Sequence, residues 1–218
     1  YLMKSQIYNI PKEPEFGLNN LEAHISIQPL ISFIKEKIAS TGNINKSYFE
    51  SLLTKLEANK VTRVVYAGNI GEGQGLHRIL PTAVAALKGE VQMRVIGGGG
   101  LAHTLKSKLA EQQLCSDNVV VLPPVKREDL LGQYQEADIL FLHLNDYQAF
   151  LKVLPSKIFE YAATGKPIVA GVAGYAADFL RSNVPGVVIF RPCNAEEMVA
   201  AVRRAGKMAR PVDRDNFC

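Results

Sequence analysis

Val61-Thr62-Arg63-Val64-Val65-Tyr66-Ala67-Gly68-Asn69-Ile70-Gly71-Glu72-Gly73-Gln74-Gly75 is the stretch whose reading decides the fold. A β-branched run over 62–67 leads into a loop with four glycines in eight residues, and an amphipathic segment over 75–88 follows. The same order of strand, loop and helix then repeats to the end of the chain. Further strands are predicted at 91–96, 118–122, 138–143, 167–172 and 186–190, and helices at 101–114, 127–136, 156–164, 174–182 and 195–205. Six strands alternating with six helices predict an α/β fold, a doubly wound parallel sheet covered on both faces. Pro81 falls inside the first helical pattern, where a kink or a restart is expected.

Residues 1–60 have a different texture. Residues 1–17, with Pro11, Pro14 and Gly17, show no helical period and are predicted as an extended linker. Apolar residues at helical spacing (Leu30, Ile31, Phe33, Ile34 and Ile38, then Phe49, Leu52, Leu53 and Leu56) predict helices over 18–40 and 46–59, broken at Thr41-Gly42-Asn43. The expected layout is a linker and helical extension over 1–60, a ligand-binding domain over 61–210 and a tail over 211–218. The chain begins at Tyr1 rather than Met and reads as a fragment of a longer protein.

With 218 residues, 47% hydrophobic and 21% charged, the chain can bury one large α/β core. The net charge of +4 is spread along the sequence without a basic block, which argues against a nucleic-acid partner. An attraction to anionic ligands or to an anionic membrane surface is what remains. Cys115, Cys193 and Cys218 have neither CxxC nor Cys/His spacing, which points to a reducing, cytoplasmic compartment and to no metal site. No apolar run approaches the roughly 20 residues of a membrane span, and no signal peptide is visible.

Ligands of such sheets bind beyond the carboxyl ends of the strands, so the loops there carry the candidates. In the loop Gly68–Gly75, glycine lets backbone amides approach a phosphate; a tight strand-to-helix turn is the plainer reading. The spacing matches neither GxxxxGK[ST] nor GxGxxG. Gly97-Gly98-Gly99-Gly100 permits either a close ligand approach or a flexible turn. In Pro155-Ser156-Lys157-Ile158-Phe159-Glu160-Tyr161, Lys157 opposes the helix dipole at a cost of about 0.3–1 kcal/mol, which a bound anion would reverse. A pair with Glu160 at i,i+3 is the alternative. Glu160 could accept hydrogen bonds from two vicinal hydroxyls. Amides, a cation and a carboxylate around one crevice suit a ligand with a pyrophosphate at one end and a hydroxyl-rich ring at the other, as in a nucleotide sugar. Of His24, His77, His103 and His143, only His143 could reach the crevice, and a satisfied strand-end histidine explains it as well. No Ser-His-Asp or Cys-His arrangement can be assembled from spacing.

Residues 61–205 resemble the C-terminal, donor-binding half of GT-B glycosyltransferases of the glycosyl transferases group 1 family, a retaining family with a Rossmann-like fold. The resemblance rests on Tyr66-Ala67-Gly68-Asn69-Ile70-Gly71 with Gln74-Gly75-Leu76, and on Pro155 to Tyr161 with Gly165-Lys166-Pro167. It is nearest to enzymes that build bacterial O-antigen and capsule sugars. It implies that Gly68, Asn69, Gly71, Gln74 and Gly75 meet the donor's phosphates and sugar. It implies that Gly97, Gly98, Gly99 and Val125 flank the base. Leu154, Pro155 and Ser156 would lie beside the donor, and Glu160 would be the ribose-binding carboxylate that ends an E-x7-E motif. Two positions depart from the pattern. The first glutamate of that motif falls on Lys152, and the usual Arg and Lys of the first loop are Asn69 and Gln74. Phosphate charge would then rest on Lys157 with Lys152, and the catalytic residues stay unassigned. The implied activity is retaining transfer from a UDP-sugar, without metal or other cofactor, to a hydroxyl acceptor in surface polysaccharide synthesis. The implied partners are an N-terminal acceptor-binding domain and a lipid-linked glycan at the inner membrane face. A UDP-sugar epimerase of related fold and a non-catalytic nucleotide-binding module are the alternatives.

Overall fold

The computed structural model describes residues 28–40, 50, 61–114, 118–208 and 212. The chain divides into two units, Tyr1–Lys60 and Val61–Cys218. In the first, α1 spans Gln28–Ser40 and buries Ile31 and Ile34, one helical turn apart. The predicted linker over 1–17, residues 18–27 of the helix predicted over 18–40, the break at 41–43, the helix 46–59 apart from Glu50, and the tail apart from Val212 lie outside the described residues.

The second unit holds β1 (Thr62–Ala67), α2 (Leu76–Ala86), β2 (Val91–Ile96), α3 (Ala102–Glu111), β3 (Val119–Leu122) and α4 (Arg127–Glu136). It continues with β4 (Ile139–His143), α5 (Lys157–Ala162), β5 (Ile168–Gly171), α6 (Gly174–Asn183), β6 (Val187–Phe190) and α7 (Ala195–Gly206). The six strands form one parallel sheet in the order β3-β2-β1-β4-β5-β6. The sheet is the Rossmann-like, doubly wound one predicted, and its order reverses between β1 and β4.

Alternation along β1 explains the two faces. Val64 and Tyr66 enter a core with residues of α2, α3 and α7, including Ile79, Leu105 and Val202. Val65 and Ala67 enter a second core with residues of α4, α5 and α6, including Tyr134, Ile158 and Leu180. β4 divides in the same way, Ile139 and Phe141 to the first core, Leu140 and Leu142 to the second. Local signals set the helix ends. Before α7, Asn194 Oδ1 accepts the Glu197 N–H at 2.9 Å, with Glu196 and Glu197 in the first turn and Arg203 and Arg204 in the last.

Of the kink or restart expected at Pro81, the restart does not occur: α2 runs through it unbroken. Proline inside a helix costs about 3 kcal/mol. Leu76, Ile79, Leu80, Ala83 and Val84 are all buried around it, at about 1.5–3 kcal/mol for each large side chain, and that burial outweighs the lost bond. Two single turns of 3-10 helix were not predicted, Glu72–Gln74 in the first loop and Gln148–Lys152 after β4.

Candidate functional site

The loops after β1 and β2 are joined backbone to backbone. Gly68 N–H donates to Ile96 O at 2.9 Å, Ile70 N–H to Gly98 O at 2.7 Å, and Leu101 N–H to Ile70 O at 3.0 Å. This contact accounts for two glycines of the second loop. Gly97 has φ +151°, and a Cβ there would lie 1.8 Å from Gly68 O. At Gly99, with φ +148°, it would lie 2.4 Å from Asn69 Oδ1 and 2.6 Å from Ile70 O. Gly100 faces open space.

Beside this seam lies a cavity of about 380 Å³. Ala67, Gly68, Asn69, Ile96, Gly97, Gly98, Pro124, Val125, Leu130 and Lys157 line it. It opens at the carboxyl ends of β1 and β2, next to the point where the strand order reverses, where open α/β sheets bind ligands. Six of the predicted residues therefore meet here: Gly68, Asn69, Gly97, Gly98, Val125 and Lys157.

The others stand around it. Asn69 Nδ2 donates to Gln74 Oε1 at 3.0 Å, so the two neutral residues that replace cations bind each other. Gly71 precedes the 3-10 turn, and a Cβ there would meet Asn69 Nδ2 at 2.6 Å. Gly75, at φ +58°, caps α2 against Asn145. Gly99 is held in the seam. Lys152 is exposed at the end of its 3-10 turn, outside the cavity lining. Leu154 packs against the second core, Pro155 O accepts the Ile158 N–H at 3.1 Å, and Ser156 precedes α5 with no capping hydrogen bond from its side chain.

Lys157 and Glu160 project from one face of α5. Lys157 Nζ donates to Glu160 Oε2 at 2.7 Å and to Tyr134 OH at 3.2 Å, and the Tyr134 hydroxyl reaches the same Oε2 at 3.4 Å. Burial works against the charge on Lys157, but its bonds to Glu160 and Tyr134 outweigh that and raise its pKa. Burial also raises that of Tyr134. The i,i+3 pair is thus formed, and Lys157 also lines the cavity. Tyr161 fixes α5 in place. Its ring is fully buried, edge-on to Tyr134, and its hydroxyl oxygen accepts the Ala67 N–H at 3.0 Å from the last residue of β1.

His143 is satisfied and buried. Its Nε2 accepts the Cys193 N–H at 2.9 Å, which leaves the proton on Nδ1 to be donated to Gln74 O at 2.6 Å. Burial pushes its pKa down to about 4, so the ring is neutral. It braces loops and does not face the cavity. The sequence reading missed Asn145, buried at the carboxyl end of β4. Its N–H donates to Gly73 O at 2.8 Å and its Nδ2 to Glu72 O at 2.9 Å, while its Oδ1 accepts from Arg78 at 2.7 Å and from the Cys193 thiol at 3.1 Å. Tyr147 OH donates to Glu72 Oε1 at 2.5 Å. Tyr134 was missed as well. The available signals were a polar side chain two residues after a buried strand, and a tyrosine in a helix whose other apolar residues are Leu130 and Leu131.

Among the described residues, no group of three His, Cys, Asp or Glu side chains could hold a metal ion, and no helix is long and apolar enough to cross a membrane. Residues 50–214 match the family described as Glycosyl transferases group 1. Among curated proteins, the chain is 28% identical over 189 residues to an Escherichia coli (strain K12) protein whose name, WcaI, places it as a glycosyl transferase of colanic acid biosynthesis; the match covers 85% of the chain and 46% of WcaI. The chain thus spans about half the length of this relative. Among solved structures it is similar to Anabaena Alr3699/HepE in complex with UDP and glucose (TM-score 0.56, 20% identity, 72% of this chain and 42% of that one). It is also similar to the apo form of the lipopolysaccharide outer core galactosyltransferase WaaB (TM-score 0.54, 17% identity, 67% and 40%). These structural likenesses establish the shared GT-B fold.

Proposed function

The chain belongs to the glycosyl transferases group 1 family, and on that premise we propose that its cavity holds the nucleoside diphosphate of a nucleotide sugar, UDP before other nucleotides. The transfer is a retaining one, to a hydroxyl of a growing surface polysaccharide presented by a second, acceptor-binding domain. The observation that carries this reading is the cavity itself, lined by glycines and by one cationic residue, Lys157. Backbone amides and one cation suit a pyrophosphate, and such preorganised donors stabilise a leaving diphosphate without rearrangement. Pro124, Val125 and Leu130 offer apolar contacts for a base. Glu160, beside Lys157, serves the ribose hydroxyls through its carboxylate. The colanic acid assignment carried by the name of WcaI supports the polysaccharide setting.

Calorimetric titration with UDP, uridine and NAD tests the reading. UDP is expected to bind most tightly. Lys157→Ala is expected to weaken UDP by about 1.5–3 kcal/mol, the range for a hydrogen bond to a charged group, and to leave uridine almost unchanged. Tighter binding of NAD, or equal losses for UDP and uridine, would overturn it.

A further inference from the structure

A second cavity, of about 770 Å³, opens beyond the carboxyl ends of β5 and β6. Its volume falls within the roughly 300–1,000 Å³ of small-molecule sites. Thr82 from α2, Asp146 after β4, and Arg191, Cys193, Asn194 and Glu196 around the start of α7 line it. We propose that this cavity is a subsite for a neutral, hydroxyl-rich sugar ring, placed to hold part of the glycan acceptor; the assignment to the acceptor rests on the transferase reading above.

Three features of the lining carry the proposal. The first is charge. Arg191, the one cation in the lining, is bound through its guanidinium to Glu197 at 2.5 Å, a carboxylate outside the lining. Asp146 and Glu196 then leave the side chains of the lining with an excess of negative charge, which the positive end of α7 offsets only in part and which disfavours a phosphate or a uronate. The second is hydrogen-bonding type. The Asp146 and Glu196 carboxylates have no side-chain partner among the described residues, and each can accept from two vicinal hydroxyls. Asn194 spends its oxygen on the Glu197 N–H, which leaves its NH₂ to donate to a ring hydroxyl, and Thr82 can do either. Donors and acceptors are therefore mixed, as a sugar ring needs. The third is continuity with the first cavity. Cys193 Sγ–H donates to Asn145 Oδ1, and Asn145 Nδ2 holds Glu72 O in the loop whose other end, Gly68-Asn69, walls the donor cavity. Both cavities thus lie at the carboxyl edge of one sheet and share one polar brace.

Cys193 provides a reporter, because it is a lining residue with a free thiol. In the 218-residue chain carrying Cys115→Ser and Cys218→Ser, its alkylation by iodoacetamide is followed with methyl α-glucoside, methyl α-galactoside or inorganic phosphate present. At ten times its dissociation constant, an occupant should slow alkylation roughly tenfold. One or both glycosides are expected to protect, phosphate is not, and Asp146→Ala is expected to abolish protection. Saturation-transfer NMR on the unsubstituted chain should show the same glycoside bound. Absence of protection and of transfer up to the solubility limit overturns the proposal; so does protection by phosphate, or protection that survives both Asp146→Ala and Glu196→Gln. A parallel UDP titration separates the two readings. Glycoside protection without UDP binding removes the donor assignment and leaves the sugar site, whereas UDP binding without protection does the reverse.

Discussion

At the scale of single residues, the glycines divide into those that the chain's own packing requires and those it does not. Gly97→Ala places a methyl group against Gly68 O, where the partner atom is backbone and cannot swing away. It is expected to destabilise the protein by roughly 1–3 kcal/mol, as overpacking does, and to weaken UDP through the displaced loop. Gly100→Ala meets nothing within 4 Å and is expected to change neither. Urea unfolding of the two variants checks this, and equal losses would show that the seam does not depend on Gly97. The sequence displayed this run of glycines without distinguishing its members, because the distinction lies in atoms some thirty positions away. Lys157 and Glu160 were legible for the opposite reason: their pairing is set by helical spacing alone. Tyr134, which bonds to both, lies more than twenty residues upstream, and no local pattern announces it.

At the scale of elements, the strands were legible because each is a short, largely apolar run that a loop residue closes, and their observed ends differ from those predicted by a residue or less. The two 3-10 turns were not legible. Glu72–Gln74 takes its shape from Asn145, which bonds to Glu72 O and Gly73 O, and that contact spans more than seventy residues. The helix α5 shows how an element is aimed. With only six residues, it depends on Tyr161 to tie it to the end of β1. Tyr161→Phe keeps the ring but strands the buried Ala67 N–H, and about 1–3 kcal/mol of stability is expected to go with it. UDP affinity should fall too, because Lys157 sits one turn earlier on the same helix. A stable variant with unchanged UDP affinity would show that α5 is oriented by its apolar packing alone.

At the scale of the whole molecule, His143 couples the fold to pH. It is fully buried and neutral, with a pKa lowered from 6.5 to about 4. Between those values the unfolded chain takes up the proton and the folded one does not, so stability is complete above pH 6.5 and is lost as pH falls toward 4. At about 1.4 kcal/mol per unit, this one ring accounts for about 3 kcal/mol of the loss. His143→Gln, able to serve both of the ring's partners without titrating, is expected to flatten the profile of urea midpoint against pH over that range. An unchanged profile would place the sensitivity elsewhere. The seam between the loops after β1 and β2 has a consequence on the scale of evolutionary change. Because Gly68, Ile70 and Leu101 are stitched across it, neither loop can gain or lose a residue without unpicking the other. Residues 123–126, exposed and stitched to no such neighbour among the described residues, form the margin where length can drift. If the proposed nucleotide site is right, descendants of this chain with a different base preference should carry their insertions there and keep the glycine seam at constant length.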